Sequence, residues 1–306
     1  MSDTAAQHSK VSGEVAPGFE PVRQLYEQQM HTMAEDNTQL CAYYRGERVV
    51  DLWYSAKDDS NFSADSLVNV FSSGKSLEAI AVASLVSKGL LAYDDRITGH
   101  WPEFGANGKH GVTIADLMRH EAGLANFDTS LDIEDLFTEN IKQNAVGRVI
   151  EEHAQTYRDV DRGKREYHAL TRGWIVNEVF RRVDPAGRTI GEFLSEDISL
   201  PLDADVHVGV TEQDLARVSS VSPLGFSYQL LQSLKPRFLG RRIVHNIFQI
   251  LGTIIRMIPV IIRGRRSPAP PPFTGMDGMG FFNDPGFSRG ETPSANASCS
   301  ARGLAK

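Results

Sequence analysis

The chain has 306 residues, of which 41% are hydrophobic and 23% charged, as in one large or two ordinary globular domains. Its formal charge of −7 argues against a nucleic-acid-binding protein. The two distant cysteines, Cys41 and Cys299, exclude a disulfide framework and favour a reducing compartment, so we expect an intracellular, cytoplasmic protein.

The charge is unevenly distributed along the chain. No acidic residue occurs between Asp214 and Asp277. The same interval contains nine basic residues, namely Arg217, Lys235, Arg237, Arg241, Arg242, Arg256, Arg263, Arg265 and Arg266. An acidic body therefore carries one strongly basic segment, a pattern that favours an anionic surface as partner.

The first elements are an arm, a helix and a hairpin. Residues 1–18 are polar and lack the apolar core of a secretory signal, so we expect a disordered arm. Residues 19–34 carry apolar side chains at helical spacing and predict a helix. Residues 39–55 are rich in aromatic and β-branched side chains and predict a β-hairpin whose turn centres on Gly46-Glu47.

Four further helices are predicted downstream. The first covers residues 73–88 and ends at Gly89, a favourable C-cap. Residues 113–120, 133–153 and 169–183 have the apolar spacing of helices. The sequence therefore predicts a mixed α and β protein in which helices follow the hairpin.

Residues 235–272 form a basic apolar segment that ends in a Pro-rich linker. Its stretch 243–262 is the most apolar part of the chain, but His, Asn, Gln, Arg and Pro within it argue against a membrane span. Three interpretations stay open: a helix that covers the core of its own domain, an amphipathic helix lying flat on an anionic membrane, and a contact with a partner protein.

Ser72 and Lys75 form an S-x-x-K motif where a strand-like run, residues 66–71, meets a helix. At a helix start, free backbone N–H groups and the helix dipole favour a developing oxyanion, and one turn places both side chains on one face. A partly buried lysine can lose its proton and then accept one from a serine. The simpler interpretation is a helix cap beside a solvated lysine.

The sequence contains no phosphate-binding loop and no cluster of metal ligands, so we expect neither a cofactor nor a metal. His120-Glu121 begins like the zinc-protease motif H-E-x-x-H, but Leu124 stands where the second histidine would be.

Three features resemble the serine β-lactamase-like superfamily, in particular class C β-lactamases, penicillin-binding proteins and related esterases. The first is F-S-S-G-K at 71–75 with its following helix, which leads to L-M-R-H-E-A-G-L at 117–124. The second is Tyr167-His168-Ala169, where the family has Y-x-N or a variant. The third is the stretch 293–306, which is similar to the loop and helix start before the family's final strands.

The resemblance implies roles for three residues. Ser72 is the acyl-accepting nucleophile, and Lys75 and Tyr167 share the work of general base and proton relay. We interpret His120 as structural, and Trp101 and Trp174 as core residues. The alternative for Tyr167 is a tyrosine packed on the core at a helix start.

The resemblance also implies the fold class and its extent. We expect an α+β fold of the β-lactamase/transpeptidase type: an antiparallel sheet flanked by helices, with a helical subdomain. The β-lactamase-related domain covers residues 19–306 and is incomplete, because the family's third motif, K-T-G or H-x-G, does not follow Ser294. His207-Val208-Gly209 comes too early in the chain, and we interpret His207 as a surface strand residue.

The implied absence of the final strands predicts a weak enzyme. In the family, the strand of the third motif supplies the second oxyanion N–H, and losing one such donor costs about 10²- to 10³-fold in rate. We therefore expect weak or no turnover of an ester or amide, lipid-derived substrates included. A non-catalytic scaffold that binds a membrane or a protein partner is the alternative function, and a transpeptidase or peptidase is a third.

Overall fold

The structure, a computed structural model, describes residues 11–57, 59–156, 164–266, 270–276 and 278–306. In chain order its helices and strands are β1 (Ser12–Val15), α1 (Glu20–Thr32), β2 (Asn37–Tyr44), β3 (Glu47–Ser55), β4 (Val68–Asn69), α2 (Lys75–Ser87), α3 (Ile114–Met118), α4 (Thr138–Lys142), α5 (Ala145–Glu152), α6 (Thr171–Val183), α7 (Ile190–Phe193), α8 (Leu200–Leu202), β5 (Val206–His207), α9 (Phe226–Leu234), α10 (Ile247–Arg266), α11 (Pro285–Arg289), β6 (Ser298–Cys299) and α12 (Ala301–Ala305).

The chain divides into two compact units. The first consists of Met1–Ser66, Val221–Pro268 and Ser300–Lys306, and the second of Leu67–Ser220 and Ala269–Cys299. Each unit is therefore assembled from pieces that are distant in the sequence.

The first unit is built on an antiparallel sheet of order β1-β3-β2. The predicted hairpin is confirmed as β2 and β3, but its turn is Arg45-Gly46, one residue earlier than expected. Both turn residues have positive φ angles, 53° and 84°, which suit the right-handed twist of the two strands.

Part of the predicted N-terminal arm is a β-strand. Ser12–Val15 forms β1 and pairs with β3 over Val50 to Trp53, so these residues are not a disordered arm. The pairing covers an edge of β3 that would otherwise present unpaired N–H and C=O groups. Residues 1–10 lie outside the described residues.

The predicted helix at 19–34 is confirmed as α1, and it packs on the sheet. Tyr26 and Met30 from α1 are buried with strand residues that include Val50, Leu52 and Tyr54. The recurrence of these apolar side chains one helical turn apart places them on the face that meets the sheet. This cluster is the hydrophobic core of the first unit.

The apolar segment at 243–262 forms most of α10, but the helix does not cover the core of its unit. Phe248 is 80% exposed and Ile255 is 65% exposed, whereas a core-covering face would be buried. The first of the three interpretations is therefore wrong for the described side chains. No helix in the described part of the chain combines the length and apolarity that crossing a bilayer requires.

The second unit surrounds helix α6. Residues 171–180 are buried on every side of this helix, so it is the central helix of its unit. It ends at Val183 because Pro185 cannot continue a helix. A small antiparallel sheet of order β4-β6-β5 lies in the same unit, and β4 leads directly into the S-x-x-K segment.

Two predicted elements differ in detail. The helix expected at 133–153 is three pieces, a 3₁₀ turn at Ile133–Leu136 followed by α4 and α5, because Phe137 is extended and Asn144 is left-handed with φ of 68°. The Pro-rich linker, predicted to end at 272, is bound to the second unit by its last residue. Pro272 accepts a hydrogen bond from the Leu131 N–H, and Phe273 is fully buried.

Candidate active site

Ser72 lies in a tight turn between a strand and a helix. The 3₁₀ turn Phe71–Gly74 follows β4 after one residue and runs into α2 at Lys75. Phe71 has a φ of 48°, an unfavourable angle for a large side chain, and its N–H donates to Asn69 Oδ1 at 2.7 Å. The turn leaves the Ser72 side chain exposed at the start of the helix.

Gly74 is required by the packing of this turn. A Cβ atom at this position would lie 2.6 Å from the Pro293 carbonyl oxygen and 3.0 Å from the Ala297 Cβ. The S-x-G-K segment can therefore approach the 293–297 segment only because residue 74 has no side chain.

Lys75 is half-buried and fully hydrogen-bonded. Its Nζ donates to the Ser294 carbonyl at 2.8 Å, to the Ala169 carbonyl at 2.9 Å and, more weakly, to Ser72 Oγ at 3.5 Å. The Nζ atom also lies 4.9 Å from the centre of the Tyr167 ring. Two carbonyls thus fix the ammonium group beside the serine.

Tyr167 completes the group of three side chains. Its hydroxyl donates to Ser72 Oγ at 2.6 Å. The side chain is 55% exposed, so the alternative of a tyrosine packed on the core is wrong. Ser72, Lys75 and Tyr167 are 95 residues apart at most, and the second unit brings them into one hydrogen-bonded cluster.

The surroundings lower the pKa values of both side chains that are hydrogen-bonded to Ser72. Burial lowers the pKa of the Lys75 ammonium, although the Tyr167 hydroxyl and Glu78 act in the opposite direction. Partial burial alone raises the pKa of the Tyr167 phenol, but its hydrogen bond with Ser72 and the nearby Lys75 lower it by more. Each group can therefore give up its proton more easily than an isolated side chain of its type.

His120 and His168 hold the tyrosine segment in place. The His168 backbone N–H donates to His120 Nδ1 at 3.1 Å, and the His120 ring lies 4.8 Å from the Tyr167 ring. His168 is buried; its Nε2 accepts from the Leu124 N–H, and its Nδ1 lies 2.6 Å from the Glu166 carbonyl.

His120 is uncharged at neutral pH. Burial, together with the charge of Arg172, lowers the pKa of the His120 imidazole to about 4. Its φ of 64° marks the end of the turn that follows α3. The geometry agrees with the structural role that the sequence suggested, and it adds a direct contact with Tyr167.

Arg172 and Glu78 were not identified from the sequence. Both are buried, and Arg172 Nε donates to Glu78 Oε2 at 2.8 Å. Arg172 Nη2 also donates to the Lys75 carbonyl at 3.2 Å, and Nη1 donates to the Met118 carbonyl at 3.2 Å. One arginine therefore links α6, α2 and the end of α3. The sequence carries no distinct signal for this pair, because α6 also contains Glu178, Arg181 and Arg182.

The remaining predicted residues are not part of this hydrogen-bonded cluster. Trp101 and Trp174 are 0% and 3% exposed, which confirms them as core residues. His207 lies in β5 and pairs with β6, so the predicted strand is confirmed, although its side chain is half-buried. Among the residues that the structure describes, no group of three His, Cys, Asp or Glu side chains is arranged to hold a metal ion.

A cavity of about 120 Å³ lies next to the cluster in the same unit. Its lining includes Ala169, whose carbonyl binds Lys75, with Phe127 and Trp174 on its apolar walls and Pro270–Pro272 at its edge.

Comparison with known proteins identifies the family. A family model described as Beta-lactamase matches residues 22–236, more than two thirds of the chain. The chain is 31% identical over 229 residues to the esterase/beta-lactamase LipL of Mycobacterium tuberculosis. That alignment covers 68% of this chain and 50% of LipL, so the matched region spans half the length of this relative.

Solved structures agree with this match. A family VIII carboxylesterase has a TM-score of 0.71 and 25% sequence identity, with 96% of this chain and 69% of that chain covered. A penicillin-binding protein homologue from Caulobacter crescentus has a TM-score of 0.69 and 26% identity, with 95% and 68% covered. The expected α+β fold of the β-lactamase/transpeptidase type is confirmed, and the chain belongs to the beta-lactamase family.

Proposed function

We propose that the chain acts by acyl transfer on esters, with Ser72 as nucleophile and Lys75 and Tyr167 as the groups that move its proton. The observation that supports this most directly is the short contact of 2.6 Å between the Tyr167 hydroxyl and Ser72 Oγ, with Lys75 Nζ 3.5 Å from the same oxygen. The esterase names of LipL and of the family VIII carboxylesterase favour an ester over an amide.

The first step forms the acyl-enzyme. When Lys75 or Tyr167 is unprotonated, it accepts the Ser72 proton as Oγ attacks the ester carbonyl carbon. The backbone N–H groups at the start of α2 favour the negative charge that develops on the carbonyl oxygen. The bond to the alcohol then breaks, and the alcohol leaves with a proton from the same lysine–tyrosine pair.

The second step restores the serine. A water molecule attacks the acyl carbon, gives one proton to the same pair, and releases the carboxylic acid while Ser72 regains its proton. The first step is the more informative one to measure, because release of the alcohol reports formation of the acyl-enzyme directly.

The cavity beside Lys75 indicates the size of the acyl group. Its volume of about 120 Å³ is below the ~150 Å³ of an apolar protein cavity that admits benzene. A short acyl group fits within the cavity walls, whereas the chain of a lipid-derived ester would have to extend beyond them. We therefore propose short-chain esters as the preferred substrates.

The test is the initial burst of nitrophenol from p-nitrophenyl acetate, butyrate and palmitate. We expect a burst of up to one equivalent with the short esters, loss of the burst in Ser72→Ala, and no change in Ser73→Ala, which removes the neighbouring exposed hydroxyl. A burst that persists in Ser72→Ala would refute the assignment of the nucleophile. Preference for palmitate would refute the assignment of the acyl site.

A non-catalytic scaffold that binds a membrane or a protein partner is the second candidate. The exposure of apolar side chains along α10 favours a binding role for this helix, including peripheral association with a membrane. A folded protein that shows neither a burst nor a covalent adduct at Ser72 would favour this candidate.

A further inference from the structure

We infer that the first unit has a docking surface for anionic phospholipid, formed by α9, the turn at 237–239 and the N-terminal part of α10. We call it the lipid-docking surface. Its exposed apolar side chains include Phe226, Leu231, Phe238, Phe248, Leu251 and Ile255. This inference goes beyond the proposed acyl transfer and does not depend on it.

The amount of exposed apolar area sets this segment apart. Phe238 is 86% exposed, Phe248 80%, Phe226 67% and Ile255 65%. Burial of these apolar side chains would be favourable, so their exposure to water is costly. Contiguous exposed apolar side chains on a folded protein mark an interaction site. The segment is therefore a surface that a partner covers.

The surface is anchored to its unit. The Arg242 N–H donates to the Gln232 side chain of α9 at 3.1 Å. The Arg242 guanidinium donates to the Met33 carbonyl, with contacts at 2.6 and 3.1 Å, at the C-terminal end of α1. This arginine satisfies a free carbonyl group at the helix end. Its charge holds the segment in place and is not part of the charge offered to lipid.

Three other cations remain on the surface. Lys235, Arg237 and Arg256 are exposed, and the sequence between positions 214 and 277 contributes no carboxylate to this surface. Within α10, Arg256 lies on the polar side with Gln249 and Thr253, roughly opposite the apolar arc. A cationic edge beside a broad apolar arc is typical of a helix that lies in the headgroup region of a membrane.

The positive charge of this surface favours an anionic lipid over a second copy of the chain as its partner. In a symmetric dimer built on this surface, the same cations would face one another without any carboxylate from the segment, and like charges across an interface are unfavourable. An anionic bilayer supplies phosphate for the cations and hydrocarbon for the apolar side chains at once. None of the described helices is long and apolar enough to cross a bilayer.

The test is co-sedimentation of the full chain with vesicles. We expect binding to phosphatidylcholine vesicles that contain phosphatidylserine and weak binding to vesicles of phosphatidylcholine alone. At about 1 M salt, where the Debye length is about 3 Å, the two kinds of vesicle should bind the protein equally weakly. Hydrogen exchange of the α10 amides in the wild-type protein should slow on addition of the anionic vesicles. Equal binding to both vesicles, or no binding to either, would overturn the inference.

Two pairs of variants separate the contribution of the apolar side chains to vesicle binding from that of the cations. Phe248→Ser with Ile255→Ser should weaken binding about tenfold or more, while Leu200→Ser, which changes a leucine that is 74% exposed in the other unit, should not. Lys235→Gln with Arg237→Gln should weaken binding to anionic vesicles about fivefold per charge. Lys57→Gln with Lys88→Gln changes the net charge equally and should have little effect.

The outcomes also distinguish this inference from the proposed function. Ser72→Ala should bind vesicles like the wild-type protein, whatever its hydrolytic activity. If ultracentrifugation shows a dimer that Phe248→Ser with Ile255→Ser dissociates, and vesicles do not bind, the occupant is a second copy and the lipid assignment is wrong.

Discussion

At residue 72, one hydroxyl group receives hydrogen bonds from both a phenol and an ammonium group. In this protonation state the Ser72 oxygen accepts from both neighbours, so it is not yet activated for attack. Removal of one proton from the pair reverses one of these bonds, and Ser72 then donates. The lowered pKa values of Lys75 and Tyr167 make that reversal accessible closer to neutral pH.

Replacement of Tyr167 by Phe should slow the first chemical step without unfolding the protein. The variant loses the 2.6 Å bond to Ser72 and the phenol that relays its proton, and general acid–base catalysis contributes about 10²- to 10⁴-fold. Tyr93→Phe is the matched control, because Tyr93 is 45% exposed and Tyr167 55%. The measurement is the rate constant of the ester burst, and equal rate constants in the two variants would contradict the role of Tyr167.

The rate of the first step should rise with pH. Only an unprotonated Lys75 or Tyr167 can accept the Ser72 proton, and both pKa values lie below their ordinary values of about 10. The rise in the pH–rate profile of the first step should therefore occur below pH 10. At lower pH the rate should fall, because both groups are then protonated. A pH–rate profile of the burst that is flat, or that rises toward acid, would contradict this mechanism.

The sequence predicted the three residues of the proposed site better than the residues that surround them. Ser72, Lys75 and Tyr167 follow from motif spacing and family resemblance, and their side chains meet in the fold. Arg172 and Glu78 are recognisable only when α6 and α2 are packed together, because a charged residue in a helix is usually solvent-exposed.

At the level of elements, the turn before α2 depends on one glycine. Gly74→Ala should destabilise the protein by about 1–3 kcal/mol, because the new Cβ would overlap the Pro293 carbonyl and crowd Ala297. Gly99→Ala is the control, since nothing lies within 4 Å of the position of its Cβ. Urea unfolding measures both variants, and equal free energies of unfolding would show that the turn has more room than the geometry indicates.

The bounds of long helices were predictable from sequence, whereas the bounds of the short strands were not. Helices α1, α2 and α6 have 13 residues each, enough for the apolar period to be visible. Strands β4, β5 and β6 have two residues each, which is too short to show any alternation. The break at Asn144 was also hidden, because left-handed backbone is compatible with Asn and carries no distinct sequence signal.

At the level of the whole molecule, the division into two units could not be predicted from sequence. The first unit combines three sequence-distant segments, and only the middle one, Val221–Pro268, lies within the basic interval that the composition marks. That interval does not by itself show that the three segments form one unit. The proposed site lies in the second unit, and the lipid-docking surface lies in the first. The two proposals can therefore be tested by separate variants.

The central claim is that Ser72 is the nucleophile, and mass spectrometry after treatment with a fluorophosphonate tests it most directly. We predict one phosphonyl adduct per chain on the peptide that contains Ser72, no adduct in Ser72→Ala, and full labelling of Ser73→Ala. A folded protein that forms no adduct, or one that forms it on another serine, would contradict the claim.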